Sequence, residues 1–246
     1  MDTMQNLDIQ GYFEKSSRFD QLIMMIQSGI KYTEQLNNIK SMSVQLEQYL
    51  IDFAKVLLNT VSAKDHYTGD HSLRVSMFAE LFADHLGLDK DDHESLVRAG
   101  LFHDIGKIGI SDNILLKETK LTDYEYESIK LHPIIGANIL SVSNIFKASS
   151  PAIRGHHERY DGTGYPDRLK GENIPYLARV LALCDTFDAI VSARPYKTGN
   201  SVDFAIEQIT KNSGTQFDPN LSKRFIAMLK ENPEKIESIS NNIKPE

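Results

Sequence analysis

Three observations predict an all-α, multi-helix protein. Apolar residues recur at spacings of three and four along most of the chain, no stretch shows a clear period of two, and the punctuation is that of helix ends. Phe19, Ile23, Ile26 and Ile30 form a first helical face, and after a break Leu36, Ile39, Leu46, Leu50, Phe53 and Leu57 resume the pattern, with Ser43 in one apolar place. One short helix and one long one are expected, the second suited equally to a flap on the core and to a dimerising or signal-relaying stalk. Val75, Phe78, Ala79, Phe82 and Leu86 define the next face, with His71 at its start and Gly87 as its stop. Asp91 and Asp92 suit the positive first turn of a helix that delivers His103 and Asp104 at its end. Thr122 and Glu125 form a capping box, opening a helix expected to carry His132 just before Pro133. Ser150-Pro151 starts another, with His156 and His157 about two turns in. Pro175 opens a long helix with Leu177, Val180, Leu181, Cys184 and Phe187 on one side and Asp185 on the other; Ser201 and Asp218-Pro219 start the last two. Three parts are expected: a helical extension over residues 1–45, a main helical domain over 46–232, and a polar tail over 233–246.

Composition narrows the function classes. The 246 residues, 41% hydrophobic and 25% charged, suffice for one substantial core. A net charge of −7 argues against broad attachment to nucleic acid polymers or anionic lipid. No apolar run approaches the roughly 18 residues that span a bilayer, and the N-terminus lacks a basic stretch followed by an apolar one, so a cytoplasmic protein without a membrane span is expected. The lone Cys184 cannot form an internal disulfide and reads as a small buried apolar side chain.

Chemistry concentrates between His71 and Asp185. His71, His103, Asp104, His132, His156, His157 and Asp185 are candidate metal ligands, and they include five of the eight histidines. Neutral imidazoles and ionised carboxylates are the nitrogen and oxygen donors that Zn, Mn and Fe accept. Seven donors are too many for one tetrahedral ion. An arrangement that uses them all sets His71, His103, Asp104 and Asp185 around one ion, with Asp104 bridging to a second held by His132, His156 and His157. Two ions sharing a water or hydroxide activate a nucleophile and steady a phosphoryl oxygen together.

The order of these residues resembles the HD superfamily of metal-dependent phosphohydrolases, and more closely its HD-GYP branch. The resemblance rests on His103-Asp104-Ile105-Gly106-Lys107-Ile108-Gly109-Ile110, on the stretch from His156-His157-Glu158-Arg159-Tyr160 to Gly164-Tyr165-Pro166, on Leu169-Lys170-Gly171-Glu172, on Asp185-Thr186-Phe187-Asp188-Ala189, and on Ser192-Ala193-Arg194-Pro195-Tyr196. It covers about Val61 to Met228. It implies a bacterial phosphodiesterase that hydrolyses cyclic di-GMP to pGpG or on to GMP, by attack of a metal-bridging hydroxide on phosphorus. Another cyclic dinucleotide as substrate, or a non-catalytic signalling module, are the alternatives. The seven ligands are implied to hold Fe or Mn, with Zn also accepted. Lys107 is placed near the scissile phosphate and counts with Asp104 as catalytic, and Arg194 and Lys197 are placed on the substrate's phosphates. Gly164, Tyr165 and Pro166 belong to a loop beside the site that is also implicated in contacts with a diguanylate cyclase or sensor domain. Some family members carry a Glu four residues before the position of His71 that helps hold a third metal. Tyr67 stands there, and a phenol is a poor substitute for a carboxylate at neutral pH. Two metal ions are therefore expected, and for the N-terminal helices the alternatives are a homodimer contact, docking to a separate sensor, or a cover over the active site.

Overall fold

The computed structural model describes residues 3–64, 68–117, 119–192 and 199–241, which divide into two compact units, Met1–Val56 and Leu57–Glu246. Helices account for the regular structure, and the described residues form no strand. No described helix is long and apolar enough to cross a membrane. The first unit holds the greater part of α1 (Thr3–Lys64), one uninterrupted helix where a short and a long one were expected. The gap in the apolar pattern between Ile30 and Leu36 holds no proline or glycine, and a gap in hydrophobicity breaks no backbone hydrogen bond.

In the second unit, α2 (Thr68–Leu86) packs on α3 (Lys90–Phe102) and on α8 (Tyr176–Val191). Between α3 and α8 come α4 (Asp112–Leu115), α5 (Asp123–Ile129), α6 (His132–Ser141) and α7 (Ser150–Gly155). Beyond them lie α9 (Val202–Lys211), α10 (Pro219–Glu231) and α11 (Pro233–Asn241). The core is aromatic at its centre: Phe78 meets Phe187 edge-on at 5.0 Å, and Phe82 meets Phe225 at 4.9 Å. Leu96, Ile153, Leu181 and Cys184 are fully buried around them. Burial pushes the Cys184 thiol up, so it stays protonated and inert.

Caps placed most helix ends as the sequence indicated. Thr122 and Glu125 form the capping box of α5, and Ser201 and Asp218 cap α9 and α10; at α3, Asp91 and Asp92 lie in the first turn as expected, and the cap itself is Asp89. Three boundaries differ. α5 stops at Ile129, and His132 opens the separate helix α6, because Pro133 fits the first turn of a new helix better than the interior of an old one. α7 ends at Gly155, so His156 and His157 follow a helix end rather than sit inside a helix. The segment from Pro233, expected as a polar tail, is helical to Asn241, with Ile236 and Ile239 buried in an otherwise polar stretch.

One glycine fixes how two parts of the second unit meet. A Cβ on Gly106 would lie 1.9 Å from the His132 carbonyl oxygen and 2.5 Å from the Gly136 nitrogen, so the 3₁₀ turn Ile105–Gly109 lies directly on the backbone of α6. Gly106→Ala is expected to destabilise the protein by about 3 kcal/mol or more, a fall in Tm of roughly 6–12 °C. Calorimetry on the purified variant checks this, and an unchanged Tm would show that the turn can back away from α6.

Candidate metal centre

Helix termini deliver all but one of the seven candidate ligands. His71 lies in the first turn of α2, His103 just beyond α3, Asp104 next to it, His132 at the start of α6, His156 and His157 just past α7, and Asp185 in the middle of α8. All seven converge. One donor atom from each of His71, His103 and Asp185 lies within 4.8 Å of the others, and the same holds for His132, His156 and His157, and for His103, Asp104 and His156. Asp104 stands between the first two groups: its Oδ2 is 3.5 Å from His103 Nε2, and its Oδ1 is 3.3 Å from His132 Nε2. Its neighbour Lys107, carried on the 3₁₀ turn, places Nζ 2.9 Å from Asp104 Oδ2.

The end of a helix also sets the tautomer of three rings. A helix leaves its last carbonyls without intrahelical partners, and a histidine just beyond can donate to one of them. His103 Nδ1 lies 2.8 Å from the Gly100 carbonyl, His132 Nδ1 2.8 Å from that of Ile129, and His156 Nδ1 2.6 Å from that of Ile153, each three residues back. A proton held at Nδ1 leaves the Nε2 lone pair as the donor that faces inward, and His132 and His156 bring theirs within 3.4 Å of each other. His71 obtains the same orientation differently, through Nδ1 at 2.7 Å from Asp188 Oδ2, with Nε2 3.1 Å from Asp185. Asp188 in turn receives Arg74 Nε at 2.6 Å and Ser192 Oγ at 2.9 Å.

Protonation follows from burial and charge. Burial holds His132, His156 and His157 in the neutral form, His157 with a pKa of about 4. Burial would raise Asp104, but Lys107 and His103 outweigh it and hold the carboxyl well below its ordinary value. Asp185 is likewise depressed, as the hydrogen bond from His71 and the charge of His103 overcome its burial. For His71, burial lowers the pKa, yet the hydrogen bonds to Asp185 and Asp188 prevail and hold it at about 9. Stability should depend on pH accordingly. His157 releases its proton on folding, so its contribution is complete above the unfolded value of about 6.5 and is lost as pH falls toward 4. His71 gains a proton, so its contribution is complete below about 6.5 and is lost as pH rises through 9. Protein stripped with chelator is therefore expected to melt highest near pH 6.5 and lower on either side, which a Tm series from pH 4 to 9 would read. A Tm that rises steadily to pH 9 contradicts the His71 assignment.

The loop after His157 is anchored to the ligands by its backbone. A Cβ on Gly164 would lie 2.3 Å from the Arg159 nitrogen and 2.6 Å from the His157 carbonyl oxygen, so only glycine permits this approach. Tyr165 N donates to that carbonyl at 3.2 Å, and the Tyr165 ring lies 4.8 Å from the His157 ring. Buried Glu158 accepts from the Asp167 and Leu169 nitrogens, which ties the loop down, while Asp161 accepts from Thr163 within its own turn. Both carboxylates thus brace the loop; the one that orients an imidazole is Asp188, which meets His71 and Arg74 from a helix far away in sequence. Arg194, Lys197 and Tyr67 lie outside the described residues. His85 and His93 stand apart from the cluster, beside Glu231 and Asp84.

The donor set fits divalent metal ions. The neutral imidazoles of His132, His156 and His157 and the two ionised carboxylates are donors that Fe, Mn and Zn accept, His71 would give up its proton on binding a metal, and buried outer partners already fix the ring orientations.

Comparison with known proteins agrees with this chemistry. A family model described as HD domain matches residues 55–221. The chain is 38% identical over 204 residues to the cyclic di-GMP phosphodiesterase response regulator RpfG of Xanthomonas campestris, covering 77% of this chain and 54% of that one. It is 37% identical over 174 residues to the 3'3'-cGAMP-specific phosphodiesterase 3 of Vibrio cholerae, covering 71% and 37% respectively. The chain thus spans about half or less of the length of these relatives. Among solved structures, the cyclic GMP-AMP specific phosphodiesterase V-cGAP3 of V. cholerae has the same fold, with a TM-score of 0.59, 20% identity, and coverage of 76% of this chain and 50% of that one.

Proposed function

Since the chain belongs to the HD-domain family, in its HD-GYP branch, we propose that it is a metal-dependent phosphodiesterase that hydrolyses cyclic di-GMP to pGpG or on to GMP. The observation that carries this reading is the placement of Asp104, with one carboxylate oxygen toward each of two imidazole groups and Lys107 beside it. His71, His103 and Asp185 would hold one divalent ion, His132, His156 and His157 a second, and Asp104 would be shared. Fe or Mn is the expected metal, and Zn is compatible with the same donors. Ions bound there would supply an activated water and neutralise charge on a phosphoryl oxygen.

The chain's own residues supply the rest. Lys107, held at Asp104, presents a cation to a non-bridging oxygen of the phosphate being cut, where charge builds in the transition state. The substrate is a dianion, and Arg194 and Lys197 would bind its second phosphate, a role carried over from the family resemblance. Tyr165, fixed against His157 by the close approach at Gly164, forms a wall of the site on the substrate's side. The exposed part of this loop is the surface we assign to a diguanylate cyclase or sensor domain, and we place the reaction in the cytoplasm.

Substrate choice is the finer question, since relatives of nearly equal identity are named for cyclic di-GMP and for 3'3'-cGAMP. Protein purified without oxygen should carry two ions per chain by elemental analysis. Chromatography should show faster loss of cyclic di-GMP than of 3'3'-cGAMP or of a nucleotide monoester. The opposite ranking would assign the chain to the cGAMP enzymes. Binding of cyclic di-GMP that leaves it intact over hours would make it a non-catalytic sensor, and three tightly held ions would overturn the two-metal reading.

A further inference from the structure

We infer that α1 is a self-association element, pairing in parallel and in register with α1 of a second copy of this chain. Leu22, Met25, Leu36, Ile39, Leu46 and Phe53 fall on one continuous series of alternating three- and four-residue steps, completed by Gly29, Tyr32, Ser43 and the sequence position of Leu50. That series has a mean period of about 3.5, whereas a straight helix turns every 3.6 residues or so and its stripe drifts by about 20° per heptad. A stripe with the straight-helix period suits a globular surface. One that holds the shorter period from Leu22 to Phe53 keeps facing only a partner that coils with it, which is another long helix.

Among the described residues there is no second helix of that length, since the longest other one is the 19-residue α2. None of the other described helices can follow that repeat over its length. A second copy matches because it brings the same repeat over the same length, and parallel, in-register pairing sets each seam residue against its own counterpart. Ser43 then faces Ser43, a polar pair inside an apolar seam that penalises shifted registers.

Exposure supports the need for a cover. Met25 is 73% exposed, Ile39 64% and Leu46 60%, although each sits at a seam position. A lone helix has little besides its own hydrogen bonds to hold it, and helical stability in proteins comes mainly from packing an apolar face.

The inference stands independently of the proposed catalysis, and its test reads mass and cross-linking. By light scattering on the full chain, wild type should have twice the chain mass at micromolar concentration. Leu36→Glu with Ile39→Glu should halve that mass. Ser41→Glu, two steps from the seam, should leave it unchanged. Oxidation of Ile39→Cys should yield a covalent dimer on a non-reducing gel and Ser41→Cys should not, because the native Cys184 is buried. Metal content and Tm equal to wild type in the double variant would show that the catalytic unit is still folded. Monomeric wild type, a dimer that survives the double substitution, or an Ile39→Cys dimer that fails to cross-link would each overturn the inference.

Discussion

Asp104→Asn is expected to lower turnover of cyclic di-GMP by about a thousandfold and to leave fewer than two ions per chain. The carboxylate has one oxygen toward each donor set, at 3.5 Å from His103 and 3.3 Å from His132. An asparagine keeps the shape but replaces one of those oxygens with an amide NH₂, which donates where a ligand must accept, and it removes the charge that a shared pair of dications requires. It also removes the anion that lies 2.9 Å from Lys107. Lys107→Ala should separate the two losses: turnover falls while both ions stay bound, since the lysine stabilises charge without ligating. Steady-state kinetics with metal analysis on the same samples reads both. If Asp104→Asn kept two ions and lost less than about tenfold in rate, a bridging role would be untenable.

Local chemistry made the helices and the candidate ligands legible in the sequence. Capping boxes, Pro at first helical positions and the Asp218 and Ser201 caps are short-range signals, so the order of helices and the all-α fold followed from them. The His and Asp residues stood out because their types and order carry the chemistry before any contact is known. Ring orientation was less visible. That His103, His132 and His156 lean on carbonyls three residues back depends on each standing just past a helix end, and two of those ends fell short of their expected places. Nor does spacing reveal that Arg74 on α2 and Asp188 on α8 meet across 114 residues, since their pairing is made by packing of the two helices. At α1 the reverse held: the gap after Ile30 looked like an end, but interruption of an apolar stripe is a tertiary signal and leaves the backbone free to continue.

That distant pair supports the second large effect. Asp188→Asn is expected to weaken metal binding by about 10–100-fold, with turnover approaching that of wild type once metal is raised to saturation. Asp188 is fully buried and acts as acceptor to three residues: His71 Nδ1 at 2.7 Å, Arg74 Nε at 2.6 Å with Nη2 at 3.1 Å, and Ser192 Oγ at 2.9 Å. An amide has one acceptor oxygen for these donors, and its NH₂ must point at a group that also donates. If the NH₂ faces His71, the ring is driven to the tautomer with its proton on Nε2, and the lone pair turns away from Asp185 and the metal. If it faces Arg74, a buried guanidinium loses its anion, which costs about 3–5 kcal/mol of folding stability. Both outcomes are measurable, the first by competition with a chromogenic chelator and the second by Tm of the metal-free protein. Arg74→Lys keeps the charge but not the two-pronged contact, so it should weaken metal binding less than Asp188→Asn does. Metal affinity equal to wild type in Asp188→Asn would mean that Asp185 alone orients His71, and that the buried pair serves only to hold α2 against α8.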